Sequence, residues 1–319
     1  MNKKESIFQK VKHFFADPKT KIKIILKTPS GFYIAITVGL IALVTIVDII
    51  FHFCFSVGGN VKNVWLNIHA SIVEVFLLGL FITWFNRLTE KKRNIQGWIE
   101  EIDDYRGWKE PEAAYRIRGA IKRLNNENIS EINLNGCNLE DMDLMQFNLT
   151  KADMVESNLS GAIMIQIKLD GAKLMSSKLI GSNLMWASLI EAKAWGADFR
   201  KANITDADLS GARLMSSNFG NTTLVSTNLT GADLTKANLT GAILQDANLF
   251  NAILLDSTLS HTNLSGAIVD DDWFQKIIRW NCIGLNEIKE SYFLAAEEEE
   301  GKTVYRLRDR VIQEAKTEE

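Results

Sequence analysis

Four ionisable side chains stand where charge is expensive: Asp48, His52, His69 and Glu74 lie inside two long apolar runs. Asp48 and His52 are one helical turn apart on the first run, and His69 and Glu74 lie on the second. Folding the pair of runs back near residues 59 and 60 sets Asn67, His69 and Ser71 opposite Asp48 and His52. Carboxylates and imidazoles in hydrocarbon face protein or water. Three chemistries fit such a cluster: polar contacts that fix the helices and their oligomer, a lining for an ion or proton path, or a metal site. The first needs only packing and hydrogen bonding, and is the reading taken here. The rest of the chain offers no P-loop, no GxGxxG, GxSxG or HExxH, and no paired-cysteine metal motif. His13 sits in a basic leader and His261 is expected on the surface. Cys54, Cys137 and Cys282 share no ligand or disulfide spacing, and suit a reducing compartment. No catalytic residue, cofactor or metal is therefore expected, and the protein is not expected to be an enzyme.

The elements that would position the cluster are two membrane helices. Residues 32–56 run 25 residues interrupted only by Asp48 and His52, and residues 64–85 form a second span, with the short VGGNVKN as a tight connection. Each is long enough to cross a hydrocarbon core of roughly 30 Å at about 1.5 Å per residue. The first lacks the short core and small-residue cleavage site of a signal peptide. Eight lysines precede the first span, Lys62 alone lies between the two, and Arg87, Lys91, Lys92 and Arg93 follow the second. That asymmetry predicts a two-pass protein of the cell (inner) membrane with both termini cytoplasmic. The leader, 1–30, places Ile7, Phe8, Val11, Phe14 and Phe15 on one helical face among lysines, which suits an anionic leaflet or a short packing helix. The remaining boundaries are 31–86 for the two helices, 87–130 for a helical connector and cap, 131–270 for a repeat region, and 271–319 for a second cap, a hairpin and a charged tail.

From Glu131 to Asp270 the chain repeats every five residues, through 28 units. The fourth position is Leu in 21 units and the second is Ala, Ser, Thr or Cys in 24, so a large apolar and a small residue recur at fixed offset. Neither the 3.6 period of a helix nor the 2.0 period of a strand gives that spacing. The pattern fits a coil lined inside by alternating Leu and Ala. The larger second-position residues, Ile132, Met142, Phe147 and Ile167, cluster toward the beginning.

The stretch GADLT KANLT GAILQ DANLF (231–250) closely resembles the pentapeptide-repeat family, whose motif is A(D/N)LXX. The resemblance implies a mainly β fold: a right-handed quadrilateral β-helix, four units per coil, seven coils in all. A solenoid exposes backbone at both ends and needs caps. Residues 111–125, with Pro111 at a first-turn position and Ala113, Ile117, Ile121 and Leu124 along one side, are expected to close one end, and 271–280 the other. SYFLAAEEEEGKTVYRLR beyond it predicts a hairpin turning near Gly301.

If a coil takes four units, residues twenty apart stack. The fifth positions then form a row of Asn135, Val155, Met175, Trp195, Met215, Thr235 and Leu255, flanked by Lys173, Lys193 and Arg213. The opposite side carries Met145, Ile165, Met185 and Val225. A contiguous apolar row on a wet surface points to association. Ala194 replaces the interior Leu just before Trp195, so either the coil narrows there or Trp195 turns inward. The reading that follows is a membrane-anchored cytoplasmic interaction scaffold that binds a protein partner and assembles with its own copies. One alternative is an oligomeric channel gated by the shaft. Another, implied by the resemblance, is the mimicry of DNA by which some family members occupy type II topoisomerases. The repeat region carries nine Lys and Arg against fifteen Asp and Glu, a balance of −6 that suits mimicry only weakly, because the acids are dispersed. Nucleic acid itself is not expected as a partner.

Overall fold

The computed structural model describes residues 59–310 together with Ile46. The basic leader, the rest of the 32–56 span with Asp48 and His52, and the tail from residue 311 lie outside the described residues. The chain divides into two units, 1–93 and 94–319.

In the first unit the described element is helix α1 (Gly59–Asp104), whose last eleven residues belong to the second unit. It begins inside VGGNVKN, so residues 59–63 are helical where the sequence suggested a tight connection. Once a helix is nucleated each added residue gains a hydrogen bond, and no proline stands between Gly59 and Asp104 to stop it. Between Ile72 and Leu88 most apolar side chains are exposed, Ile72, Val75, Leu78, Phe81, Trp84 and Phe85 among them, while Val73, Phe76 and Leu80 along one face are half-buried. Thr83 and Thr89 return their hydroxyl protons to the carbonyls of Gly79 and Phe85, at 2.8 and 2.9 Å. From Ser71 onward this helix is long and apolar enough to cross a membrane, by length and composition.

The second unit is organised by the coil. Its single-residue bridges pair each third-position residue with the one twenty further on, from Asn133 with Asp153 to Asn248 with Ile268. One turn therefore takes four fives. Four backbone donors of a unit are bonded to other backbone groups, and the fifth to a side chain where position three is Asn or Asp. The fourth-position N–H donates to the next coil (Leu134 to Asp153 O, 2.6 Å) and so does the first (Gly136 to Val155 O, 2.9 Å). The third donates to the previous coil (Asp153 to Ile132 O, 2.9 Å), and the second closes the corner turn (Cys137 to Leu134 O, 3.0 Å). The fifth is taken by the side chain two residues earlier, as Thr150 N donates to Asn148 Oδ1 at 3.2 Å. That Asx contact is the physical reason for Asn or Asp at position three.

The corner also dictates position one. From Gly136 to Gly266 every first-position residue has positive φ, between 54° and 74°, as the i+2 position of a type II turn requires. Glycine meets that at no steric cost, as at Gly161. Inside, every fourth-position side chain is buried, as is every second-position one except the half-buried Phe147. Buried hydroxyls are satisfied: Ser157 donates to Met154 O at 2.7 Å, and Thr222 to Phe199 O at 2.7 Å. Phe199 stacks on Phe219 with centroids 4.8 Å apart. Ala194 and Phe199 occupy successive interior positions of one coil, so the ring's extra volume offsets the methylenes missing at Ala194. Trp195 stays outside, 38% exposed.

The first coil has no predecessor, and three of its four third-position carbonyls, at Asn133, Asp143 and Asn148, meet side-chain donors from the helical connector. Arg106, just past α1, donates to Asn133 O at 3.2 Å and also to Asn135 O. Arg118 of helix α2 (Pro111–Asn126) donates to Asp143 O and lies over the Phe147 ring. Asn125 donates to Asn148 O and accepts from Asn148 N, both at 2.8 Å. Ala114, Ile117, Ala120, Ile121 and Leu124 of α2 join the same core as the coil interior, which explains why the first-coil residues Ile132, Met142 and Phe147 are large.

At the other end the last coil meets acceptors. Strand β1 (Ile268–Val269), helix α3 (Trp273–Arg279), helix α4 (Leu285–Ser291) and strands β2 (Tyr292–Glu299) and β3 (Lys302–Asp309) follow one another, and the sheet order is β1-β3-β2, antiparallel. Asp256 N donates to Trp280 O and Leu259 N to Ile283 O, both at 2.8 Å. His261 N donates to Glu287 Oε2 at 3.0 Å, Leu264 N to the Tyr292 hydroxyl at 3.2 Å and Gly266 N to Leu307 O at 2.8 Å. Gly284 has φ +89°, and a Cβ there would lie 2.7 Å from Ser260 N, so only glycine fits.

Candidate interaction surface

The surface of the coil is built from positions three and five. On the side that begins with Asn133, position three carries Asp153, Lys173, Lys193, Arg213, Asp233 and Ile253 in bridge register. Parallel pairing sets Lys173, Lys193 and Arg213 directly above one another, about 4.8 Å per step. Lys173 Nζ lies 3.0 Å from Asp153 Oδ2. Among the described residues neither Lys193 nor Arg213 has an ion pair. The next side shows the contrast: the Arg200 guanidinium is committed to Asp198, with Nη2 to Oδ2 at 2.6 Å, and holds that carboxyl below its usual range.

Beside the cations run Val155, Met175, Trp195 and Met215, Trp195 exposed and the others half-buried. Their backbones are tied across coils: Ser176 N donates to Trp195 O at 3.0 Å, and Gly196 N to Met215 O at 2.9 Å. Thr235 separates this row from Leu255, which is exposed beside Ile253 and near the cap. The opposite side holds Met145 with Ile165 and Met185. Sequence reasoning passed over two exposed neighbours there, Ile163 and Trp186. Trp186 is 52% exposed and occupies a corner at φ 56°, a conformation unusual for a bulky side chain. Its first position in a unit was the available signal.

Of the proposed intramembrane cluster, His69 and Glu74 lie on α1 with the Glu74 side chain exposed, while Asp48 and His52 lie outside the described residues. Among the described residues no group of His, Cys, Asp or Glu is arranged to hold a metal. Cys137 and Cys282 are buried free thiols. Burial pushes Cys137 up to about 11 and raises Cys282, which suits structural rather than reactive cysteines.

Pentapeptide repeats, eight copies, match residues 128–166, 152–189, 182–221 and 242–270. Among solved structures, HetL of the cyanobacterium Nostoc, a pentapeptide-repeat protein involved in regulating heterocyst differentiation, is 30% identical. The match covers 45% of this chain and 81% of HetL, with a TM-score of 0.21. Rfr23 of the cyanobacterium Cyanothece is 26% identical over 52% of this chain and 98% of its own, with a TM-score of 0.22. QnrB1, a plasmid-mediated fluoroquinolone resistance protein, is 17% identical over 47% of this chain and 88% of its own, with a TM-score of 0.26. No curated protein matches the chain. The chain belongs to the pentapeptide-repeat family, and its coil is the right-handed β-helix of that family.

Proposed function

We propose that this protein is a membrane-anchored scaffold without catalytic activity, whose β-helix of seven coils presents a rigid surface to a protein partner on the cytoplasmic side. The observation that carries the reading is the row Met175, Trp195, Met215 beside Lys173, Lys193 and Arg213, held in register by inter-coil hydrogen bonds. A surface fixed in this way binds without paying much ordering entropy. The anchor is supported by α1, most of whose apolar side chains between residues 72 and 88 are exposed, and by the basic residues that follow them. The two-pass topology rests on the residue 32–56 span and on the lysine asymmetry.

In-cell crosslinking and pull-down of the full chain, against Met175→Asp and Trp195→Asp, tests the surface. Partner recovery is expected to fall sharply in both variants while their thermal unfolding stays within a few degrees of the parent. Unchanged recovery with intact folding would remove this surface from the account.

A further inference from the structure

The unpaired cations have a second, independent companion in the backbone. Where position three is Asn or Asp, its side chain takes the fifth-position N–H in nearly every unit, as at Asn148, Asn158 and Asn203. Where position three is Lys or Arg no such acceptor exists. Accordingly, the N–H groups of Met175, Trp195 and Met215 have no acceptor among the described residues. Three successive coils thus place a cation, a free backbone donor and a large apolar side chain at the same height on one side of the shaft. At positions three and five of these coils every polar group that lacks a partner is a donor.

We infer that this strip is a receptor for an acidic amphipathic α-helix of the partner, lying along the shaft axis with carboxylates on the cation row and aliphatic side chains on the Met/Trp/Met row. The inference rests on the scaffold reading and names the chemistry of its partner. Spacing selects the helix. Residues i and i+7 of an α-helix are about 10.5 Å apart along its axis, against about 9.6 Å from the first to the third coil, a mismatch long side chains absorb. An extended strand puts three same-face residues over about 13 Å and drifts out of register. Charge selects the acid: stacked like charges repel, and a carboxylate placed against Lys193 or Arg213 relieves that repulsion while accepting from the neighbouring N–H.

The test uses the full chain in nanodiscs of zwitterionic lipid and three fluorescein-labelled 18-residue helical peptides on an Ala/Gln background. One carries Glu at i, i+3 and i+7 beside a Leu row, one carries Lys in place of Glu, and one is a scramble of the first. Anisotropy is expected to show saturable binding of the Glu peptide alone, weakening as salt is raised. The double variant Lys193→Glu/Arg213→Glu is expected to lose about tenfold or more in affinity, and Trp195→Ala several-fold. Equal binding of the scramble, or Glu-peptide binding indifferent to both variants, overturns the inference. So does row-dependent binding of phosphatidylserine vesicles or of duplex DNA without binding of the Glu peptide. If the peptide fails while crosslinked partner recovery still depends on Trp195, the scaffold stands and only the acidic-helix assignment falls.

Discussion

Apolar side chains face outward in two regions of this molecule, and in different patterns. On α1 between residues 72 and 88 they cover most of the helix circumference, with Val73, Phe76 and Leu80 half-buried on the remaining face, and the threonine hydroxyls bond back to the helix's own carbonyls. On the shaft Val155, Met175, Trp195 and Met215 stand in single file, each flanked by a charged position three, while the residue one earlier is wholly buried. A helix apolar over most of its circumference has little face to offer water and suits lipid as its solvent. A narrow apolar row bordered by cations remains soluble and offers a defined contact. Hydrophobicity alone therefore does not distinguish the two. Its angular distribution does.

The sharpest way to break the comparison is to move one step along the shaft. Leu214→Asp buries an unpaired carboxylate in the coil interior and is expected to cost about 4 kcal/mol or more, enough to abolish cooperative unfolding of the repeat region. Met215→Asp, one residue later and half-outside, is expected to cost less than about 1 kcal/mol. Chemical denaturation of both variants checks the pair, and similar costs would mean that the inside and outside assignments are wrong. On α1 the corresponding change is Leu78→Arg with Phe81→Arg. Each arginine is expected to cost about 3 kcal/mol of membrane insertion near a helix centre, read as a loss of membrane-inserted protein, with no change in unfolding of the 94–319 unit.

A smaller effect is expected at the end of the coil. Arg118→Ala removes the donor to Asp143 O and is expected to cost about 1–2 kcal/mol, seen as a lower unfolding midpoint and faster amide exchange in the first coil than in the middle ones. Trp186→Gly relieves a left-handed corner and is expected to raise stability by about 0.5 kcal/mol, the opposite sign to most substitutions in the coil. The buried thiols sharpen the interior side of the comparison without mutation. With Cys137 pushed up to about 11, its thiolate fraction at pH 8 is about one in a thousand, so iodoacetamide is expected to leave Cys137 unmodified until the protein is denatured.

The interior of the coil was legible because one residue determines each feature: Leu at position four and Ala at position two report burial directly. The corner was harder to read. Position one needs positive φ throughout, yet only some of these residues are Gly, and Lys201, Glu191 and Trp186 hold the same conformation because the surrounding hydrogen bonds impose it. The caps were legible as apolar helical faces, whereas Arg106, Arg118 and Asn125 as carbonyl partners were not. Their role depends on contacts 23 to 29 residues away that no local pattern records. Helix α4 escaped notice for a related reason: seven residues opened by Gly284 bury only Ile288 and carry little periodic signal. The candidate row was visible once the twenty-residue register was assumed. The free N–H groups at Met175, Trp195 and Met215 became visible only when every backbone donor had been assigned.

Flotation with alkaline carbonate extraction tests membrane anchoring. Membranes from cells expressing the full chain, and cells expressing residues 94–319 alone, would be extracted and floated on a density gradient. The full chain is expected to resist carbonate and float with lipid while the 94–319 unit stays soluble and folded. Release of the full chain into the carbonate supernatant would contradict it.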